Sequence, residues 1–422
     1  MPFRPLILSV AAACVLGAVL GCMPARAADS NVSVNKLGPL KEPTPEATAV
    51  RLGGDGSNTR FVLDLTRKID IATFTLADPY RVVVDLPQVA FKLPRQVGEQ
   101  GRGLVKAFRY GLIMQGGSRI VLDVSGPVRV DKAFTLAAAD GQPARLVLDL
   151  TPIDRETFLH NIELAARPAQ HVAHVQSDIS RQRDNDPRPL IVIDPGHGGI
   201  DSGTKGLDGQ DEKDIVLEFG QKLRELLLAS GKYRVAMTRA DDTFIPLRER
   251  VRFARKHKAS LFISIHCDSL PRREGIGEGA TVYTLSEHAS DAEAAKLADK
   301  ENKSDVIAGV DLSAQPDDVA SILIDLAQRE TKTFSVQFAR TLVRDFKTSV
   351  PLHLKPVKSA GFVVLKAPDV PSVLVELGFM TTRSDLRRLT SADWRAKAAQ
   401  SVGRAVDEFF ARRLVGASVG AR

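Results

Sequence analysis

The sequence predicts two architectures in one chain: an all-β sandwich followed by an α/β domain whose mostly parallel sheet carries helices on both faces. Three observations point there. Short strand blocks in the first part of the chain repeat in order, with no helical periodicity of any length between them. A polar stretch over 153–188, with scattered charges and with Pro187 and Pro189, then interrupts the pattern. Beyond Leu190, continuous apolar runs of strand length alternate with amphipathic helical segments, as in a sheet buried on both sides.

The chain opens like an export signal. Arg4 gives a basic start, Leu6 to Leu20 is an apolar run too short for a comfortable membrane span, and Ala25 and Ala27 form a small-x-small cleavage pattern. Residues 1–27 are therefore expected to be removed, leaving no stable membrane span. A retained anchor and a lipid-modified Cys22 are the alternatives; no twin-arginine pair is present, which favours the general secretory route. Cleavage takes Cys14 and Cys22 away and leaves Cys267 alone, so disulfides cannot staple the mature chain. At 422 residues it is long enough for two or three domains with cores of their own. A net charge of +7 suits an anionic partner such as a cell-wall polymer or a membrane surface. An aromatic content of 5% and the lack of a recognition motif argue against nucleic acid.

The repeat defines the first domain, 32–152. The block from Arg60 to Leu65 returns from Arg119 to Val124, Phe74 to Leu76 returns from Phe134 to Leu136, and Arg81 to Leu86 returns from Arg145 to Leu150. Each block is apolar, rich in β-branched residues and bounded by Gly, Pro or Asp, hence a strand. With no catalytic cluster, the domain reads as a binding module or, more blandly, a spacer. The linker that follows is expected to be solvated, with one short helix near 156–166, and so are His160, His171 and His174. In the second domain, 189–415, strands are expected at 191–193, 233–238, 261–265, 281–283, 362–365 and 372–376. Helices are expected at 215–230, 246–257, 333–350 and 392–412.

Four side chains sit where these strands and turns run out: His197, Glu212, His266 and Glu376. A hydrolytic zinc needs three nitrogen or oxygen ligands and an open fourth position. His197, Glu212 and His266 would supply the ligands, and Glu376 the general base. Glycines 196, 198 and 199 let the chain turn tightly around His197, and Asp194 or Asp201 would fix its tautomer. Glu212 precedes a helix expected to start near Asp214. His266 leaves the C-terminal edge of an internal strand, where open α/β sheets gather their chemistry. Asp268, on the same side, would orient a ligand or the attacking water, or add a ligand. Cys267, between them, points to the opposite face and reads as a buried thiol. Glu376 ends a strand apolar enough to raise its pKa unless a cation compensates.

The motifs Asp194 to Gly203 (Asp-Pro-Gly-His-Gly-Gly-x-Asp-x-Gly), Glu212 with Lys213, Ser264 to His266, and Val375 to Phe379 resemble those of the zinc-dependent N-acetylmuramoyl-L-alanine amidases of the amidase-3 family. The resemblance covers about 190–414 without departure at the four core positions. The repeat domain resembles the AMIN domain that precedes such catalytic domains in cell-separation amidases. The resemblance implies a periplasmic enzyme that uses Zn2+ to hydrolyse the amide between the lactyl group of N-acetylmuramic acid and L-alanine in peptidoglycan. Glu376 would act as base and proton donor in turn.

Between the strand near 281–283 and the helix at 333 lies an acid-rich insertion, 286–330. Its stretch 289–298 has helical composition, and 319–327 carries apolar spacing at Val319, Ile322, Leu323 and Leu326. An anionic helix beside the cleft could fill the open metal position with one carboxylate, and Glu287, Glu293 and Glu301 are the candidates. In the enzymes it resembles, such an insertion blocks the site until a LytM-type activator displaces it. Two other functions stand beside the amidase: a zinc peptidase acting within the stem peptide, and a non-catalytic wall-binding scaffold. The scaffold would predict a lost ligand or a lost Glu376, and both are present.

Overall fold

The computed structural model describes residues 43–94, 96–114, 117–165, 186–269, 278–310 and 322–419, and Thr44–Arg422 forms one compact unit. The proposed signal segment with Cys14 and Cys22, the linker histidines His171 and His174, and Val319 lie outside the described residues.

Among the described residues, nine strands make the first domain: β1 (Glu46–Gly54), β2 (Thr59–Leu65), β3 (Ala72–Leu76), β4 (Arg81–Pro87), β5 (Ala90–Phe91), β6 (Val105–Ile113), β7 (Gly117–Val124), β8 (Val128–Leu136) and β9 (Ala144–Pro152). They form two sheets, β5-β1-β2-β9-β8 and β6-β7-β4-β3. The repeated halves are interleaved, since each sheet takes two strands of the repeat from one half and one from the other. Alternation does the rest. Phe61, Leu63, Val82, Val84, Ile120, Leu122, Leu146 and Leu148 point inward into one core. The outward positions carry cross-strand ion pairs, Arg60 with Asp149 on one sheet and Arg119 with Asp85 on the other.

After α1 (Arg155–Ala165), whose His160 is exposed, the second domain runs β10 (Leu190–Pro195), α2 (Glu212–Ala229), β11 (Arg234–Met237), β12 (Thr243–Phe244), α3 (Leu247–Lys256), β13 (Leu261–His266) and β14 (Ala280–Leu285). It continues with α4 (Ala292–Glu301), α5 (Ser304–Ile307), α6 (Ile322–Phe346), β15 (Leu352–Ala360), β16 (Ser372–Glu376), α7 (Arg383–Leu389) and α8 (Ala392–Val419). The sheet order is β11-β10-β13-β16-β14-β15, parallel throughout except where β14 meets β16. Ile191, Ile193, Ile263 and Val375 face a core shared with α2, α6 and α8, while Val192, Phe262 and Leu374 face a second one shared with α3 and α4. This is the doubly covered α/β sheet expected.

Two elements differ from expectation. The apolar run 362–365 is not a strand: Val363–Leu365 is a turn of 3-10 helix, and the edge strand is the more polar β15. Val364 and Leu365 are buried by packing under α3, so their hydrophobicity reported burial, not extended pairing. The helix expected at 333 begins eleven residues earlier, at Ile322, inside the insertion. Among the described residues no helix is long and apolar enough to cross a membrane.

Candidate active site

The first ligand position depends on the turn after β10. His197 has a φ of +57°, and Gly203 a φ of +67°. A Cβ at Gly203 would stand 2.7 Å from the His197 ring and 2.8 Å from Glu212, so only glycine lets these two side chains meet. Two buried arginines fix the turn from beneath. Arg250 donates to the carbonyls of Pro195 (2.8 Å) and His197 (2.7 Å), and Arg239 to those of Pro195 (3.0 Å) and Gly196 (2.8 Å).

Asp201, rather than Asp194, holds the His197 ring: its carboxylate is 2.9 Å from Nδ1, which leaves Nε2 to face the site. Asp194 instead binds Arg250 (2.9 Å), Thr238 (2.6 Å) and Ser264 (2.7 Å) below the turn. Burial alone would raise its pKa, but the Arg250 charge and those hydrogen bonds bring it below the usual carboxylate range.

Glu212 is the first residue of α2 rather than a residue before it, fully buried, where a helix N-terminus favours a carboxylate. Backbone N–H groups of Thr204 and Cys267 each donate to it at 2.9 Å. His266 ends β13 and pairs in register with Glu376 at the end of neighbouring β16. Cys267 is free and fully buried.

These elements bring three donor atoms together. Glu212 Oε1 lies 3.1 Å from His197 Nε2 and 3.3 Å from His266 Nδ1. A fourth atom joins them: Glu301 Oε2, from the last residue of α4, is 3.4 Å from His197 Nε2 and 3.1 Å from His266 Nδ1. Tetrahedral ligands about 2.0–2.1 Å from an ion stand about 3.3 Å apart, and the four histidine-to-carboxylate separations, 3.1–3.4 Å, match that spacing. His197 Nε2 and His266 Nδ1 are buried with no hydrogen-bond partner, as ligand atoms would be.

Electrostatics agree. Burial opposes protonation of both imidazoles, yet Glu212, Asp201 and Glu301 raise His197 well above its ordinary value, and Glu301 and Glu212 raise His266 to about 10. The pocket thus favours two positive charges, which two protons or one divalent cation would supply. His197, Glu212 and His266 could hold that cation.

Glu376 is fully buried, and burial pushes its carboxyl up to about 8. Its Oε2 accepts from the Asp268 N–H at 3.0 Å, while Oε1 has no partner. Asp268 is not among the converging ligands. Its carboxylate accepts from the Thr204 hydroxyl (2.7 Å) and pairs with Lys300 of α4, so it is already engaged.

Of the three insertion carboxylates, the structure brings only Glu301 to the site. Glu287 is exposed at the surface. Glu293 pairs with buried Lys358 at 2.8 Å, which holds it on the β15 side of α4. Sequence reasoning missed Arg250, Arg239 and Lys300. Arg250 was accessible in principle, because Leu247, Arg250 and Ala254 are the buried positions of α3 at helical spacing, an apolar stripe with an arginine in it.

Residues 191–408 match the Amidase_3 family, described as N-acetylmuramoyl-L-alanine amidase, and residues 49–151 match the AMIN domain. The N-acetylmuramoyl-L-alanine amidase AmiC of Escherichia coli O6:H1 is 33% identical over 378 residues, covering 87% of this chain and 90% of that one. AmiC of Neisseria meningitidis serogroup B is 32% identical over 380 residues, covering 86% and 90%. The chain therefore belongs to the N-acetylmuramoyl-L-alanine amidase family with an N-terminal AMIN domain, and is a hydrolase that cleaves the amide between N-acetylmuramic acid and L-alanine of peptidoglycan in cell separation.

Proposed function

We propose that this amidase works with Zn2+ held by His197, Glu212 and His266, that Glu376 is its general base, and that Glu301 keeps it shut until a LytM-type activator withdraws the insertion. The observation that supports this reading is the convergence of His197, Glu212 and His266 with the Glu301 carboxylate, each histidine nitrogen 3.1–3.4 Å from both carboxylates. Zinc, when bound, supplies Lewis acidity that polarises the amide carbonyl and acidifies water.

The chain's own residues do the remainder. Asp201 presents the correct nitrogen of His197. The Asp268 N–H holds Oε2 of Glu376, so the unpartnered Oε1 takes the proton from the attacking water and returns it to the departing amine of L-alanine. Glu301 lies against both histidines, where it would bar water and substrate from a bound metal, and its neighbour Lys300 pins the same helix end to Asp268. Withdrawal of α4 removes both at once. A periplasmic location fits the basic start and apolar run at the N-terminus and a peptidoglycan substrate.

Metal analysis combined with hydrolysis of purified peptidoglycan tests the assignment. His197→Ala is expected to lose zinc. Glu376→Gln should keep zinc and lose roughly 10²–10⁴ in rate. A zinc-loaded Glu376→Gln protein that cleaves at the parental rate would remove Glu376 from the role.

A further inference from the structure

The AMIN domain does more in this molecule than stand beside the catalytic domain. Its second sheet, β6-β7-β4-β3, is extended by β12, which pairs in parallel with β6 across Thr243↔Leu112 and Phe244↔Ile113. On the outward face of that sheet three arginines point at the end of α5, two residues beyond the Glu301 helix. Arg81 donates to the Val306 carbonyl, Arg109 to Ile307, and Arg119 to Ala308 (3.2 Å) and Gly309 (2.8 Å). These carbonyls lie in the last turn of α5 and in the two residues that follow it, where the helix ladder runs out. Val83 and Val121, between the arginines, pack with Ala308, Ile200 and Phe244 into a small apolar cluster. Gly309 has a φ of +64°, and a Cβ there would meet Val121 at 3.0 Å and Val83 at 3.1 Å.

The same short segment ties back to the active site. Ser304 donates to Asp201, the partner of His197, and Asp305 accepts from the Leu247 N–H at 2.8 Å, capping α3 where Pro246 cannot. The interleaved repeat supplies an internal comparison. The other sheet carries the equivalent arrangement, Arg60 with Asp149 and Arg51 with Asp64, facing outward. The Arg60 side chain is 56% exposed where its counterpart Arg119 is 12% exposed. One face of the AMIN domain is thus filled by the inhibitory segment, while on its duplicate the side chains of Arg51 and Arg60 remain more than half exposed.

We propose that the second AMIN sheet is a clamp that holds the inhibitory segment closed, so that the AMIN domain sets how easily the amidase opens. The proposal rests on the reading of Glu301 as the block. Charge-assisted hydrogen bonds to the α5 carbonyls favour the closed state only, and their loss shifts the balance toward the open one. By reciprocity, whatever withdraws the segment also frees this sheet face.

The test compares full-length Arg119→Gln and Arg60→Gln. Both break an Arg–Asp pair of the same kind on the same domain, so the second controls for damage to the sandwich. Hydrogen exchange of the amides in 304–310 and activator-free hydrolysis of peptidoglycan are read for each, with Glu301→Ala as a reference. Exchange and hydrolysis both roughly tenfold faster in Arg119→Gln, and unchanged in Arg60→Gln, would support the clamp. Parental exchange in a folded Arg119→Gln would overturn it, and so would equal effects of the two substitutions. The reference separates the two ideas: if Glu301→Ala stays inactive, the block itself is wrong, while exchange still decides the clamp.

Discussion

His197 sits at a positive φ among glycines, fixed from below by Arg250 and from the side by Asp201, so its imidazole has one nitrogen free and one orientation. The cluster it enters is held together by charge. Without a cation, Glu212, Asp201 and Glu301 raise both histidines above 6.5, His266 to about 10. A histidine raised on folding contributes stability that is fully present below its unfolded value and is lost as pH rises through the folded one. Chelated protein should therefore lose Tm between pH 6.5 and about 10, and zinc-loaded protein should lose less, because the metal replaces those protons. A chelated and a loaded form with parallel Tm profiles across that window would contradict this. The two histidines, Glu212 and Glu376 were legible in the sequence because each ends a strand, follows one in a glycine turn or opens a helix. Choosing Asp201 over Asp194 was not, since both flank the same turn and only the fold decides which one reaches the ring.

Among the elements, α3 shows how a scaffold residue can matter as much as a ligand. Arg250 and Asp194 are each 1% exposed in side chain and paired at 2.9 Å, beneath the turn that carries His197. Replacing Arg250 by Met removes the pair's cation and leaves a buried carboxylate facing only hydroxyls. It is expected to cost about 3–5 kcal/mol in urea unfolding, and a loss below 1 kcal/mol would show that Asp194 simply protonates or finds water. Strand β10 and its neighbours were readable from continuous apolar runs. Edge strand β15 was not, because Leu354 is 92% exposed and the strand carries His353, Lys355, Pro356 and Lys358. An edge needs only one partner, so its sequence need not be hydrophobic. The helix-like composition of 289–298 did foreshadow α4 (Ala292–Glu301), but composition cannot say which carboxylate of a helix faces a cleft.

At the scale of the molecule, the repeat revealed two halves of the first domain without revealing that they exchange strands, because that depends on pairing between residues far apart, such as Arg60 with Asp149. The contact between this domain and the insertion was likewise out of reach: the arginines that grip α5 look in sequence like their solvent-facing copies. On the reading proposed above, one carboxylate holds a competent zinc amidase shut. The most direct measurement compares the mature chain with Glu301→Ala, both zinc-loaded and without activator, on purified peptidoglycan, reading the released ends by mass spectrometry. Intact stem peptides with a free L-alanine amine are expected, released much faster by Glu301→Ala and abolished by chelator. Equal, slow release by both zinc-loaded proteins would contradict it.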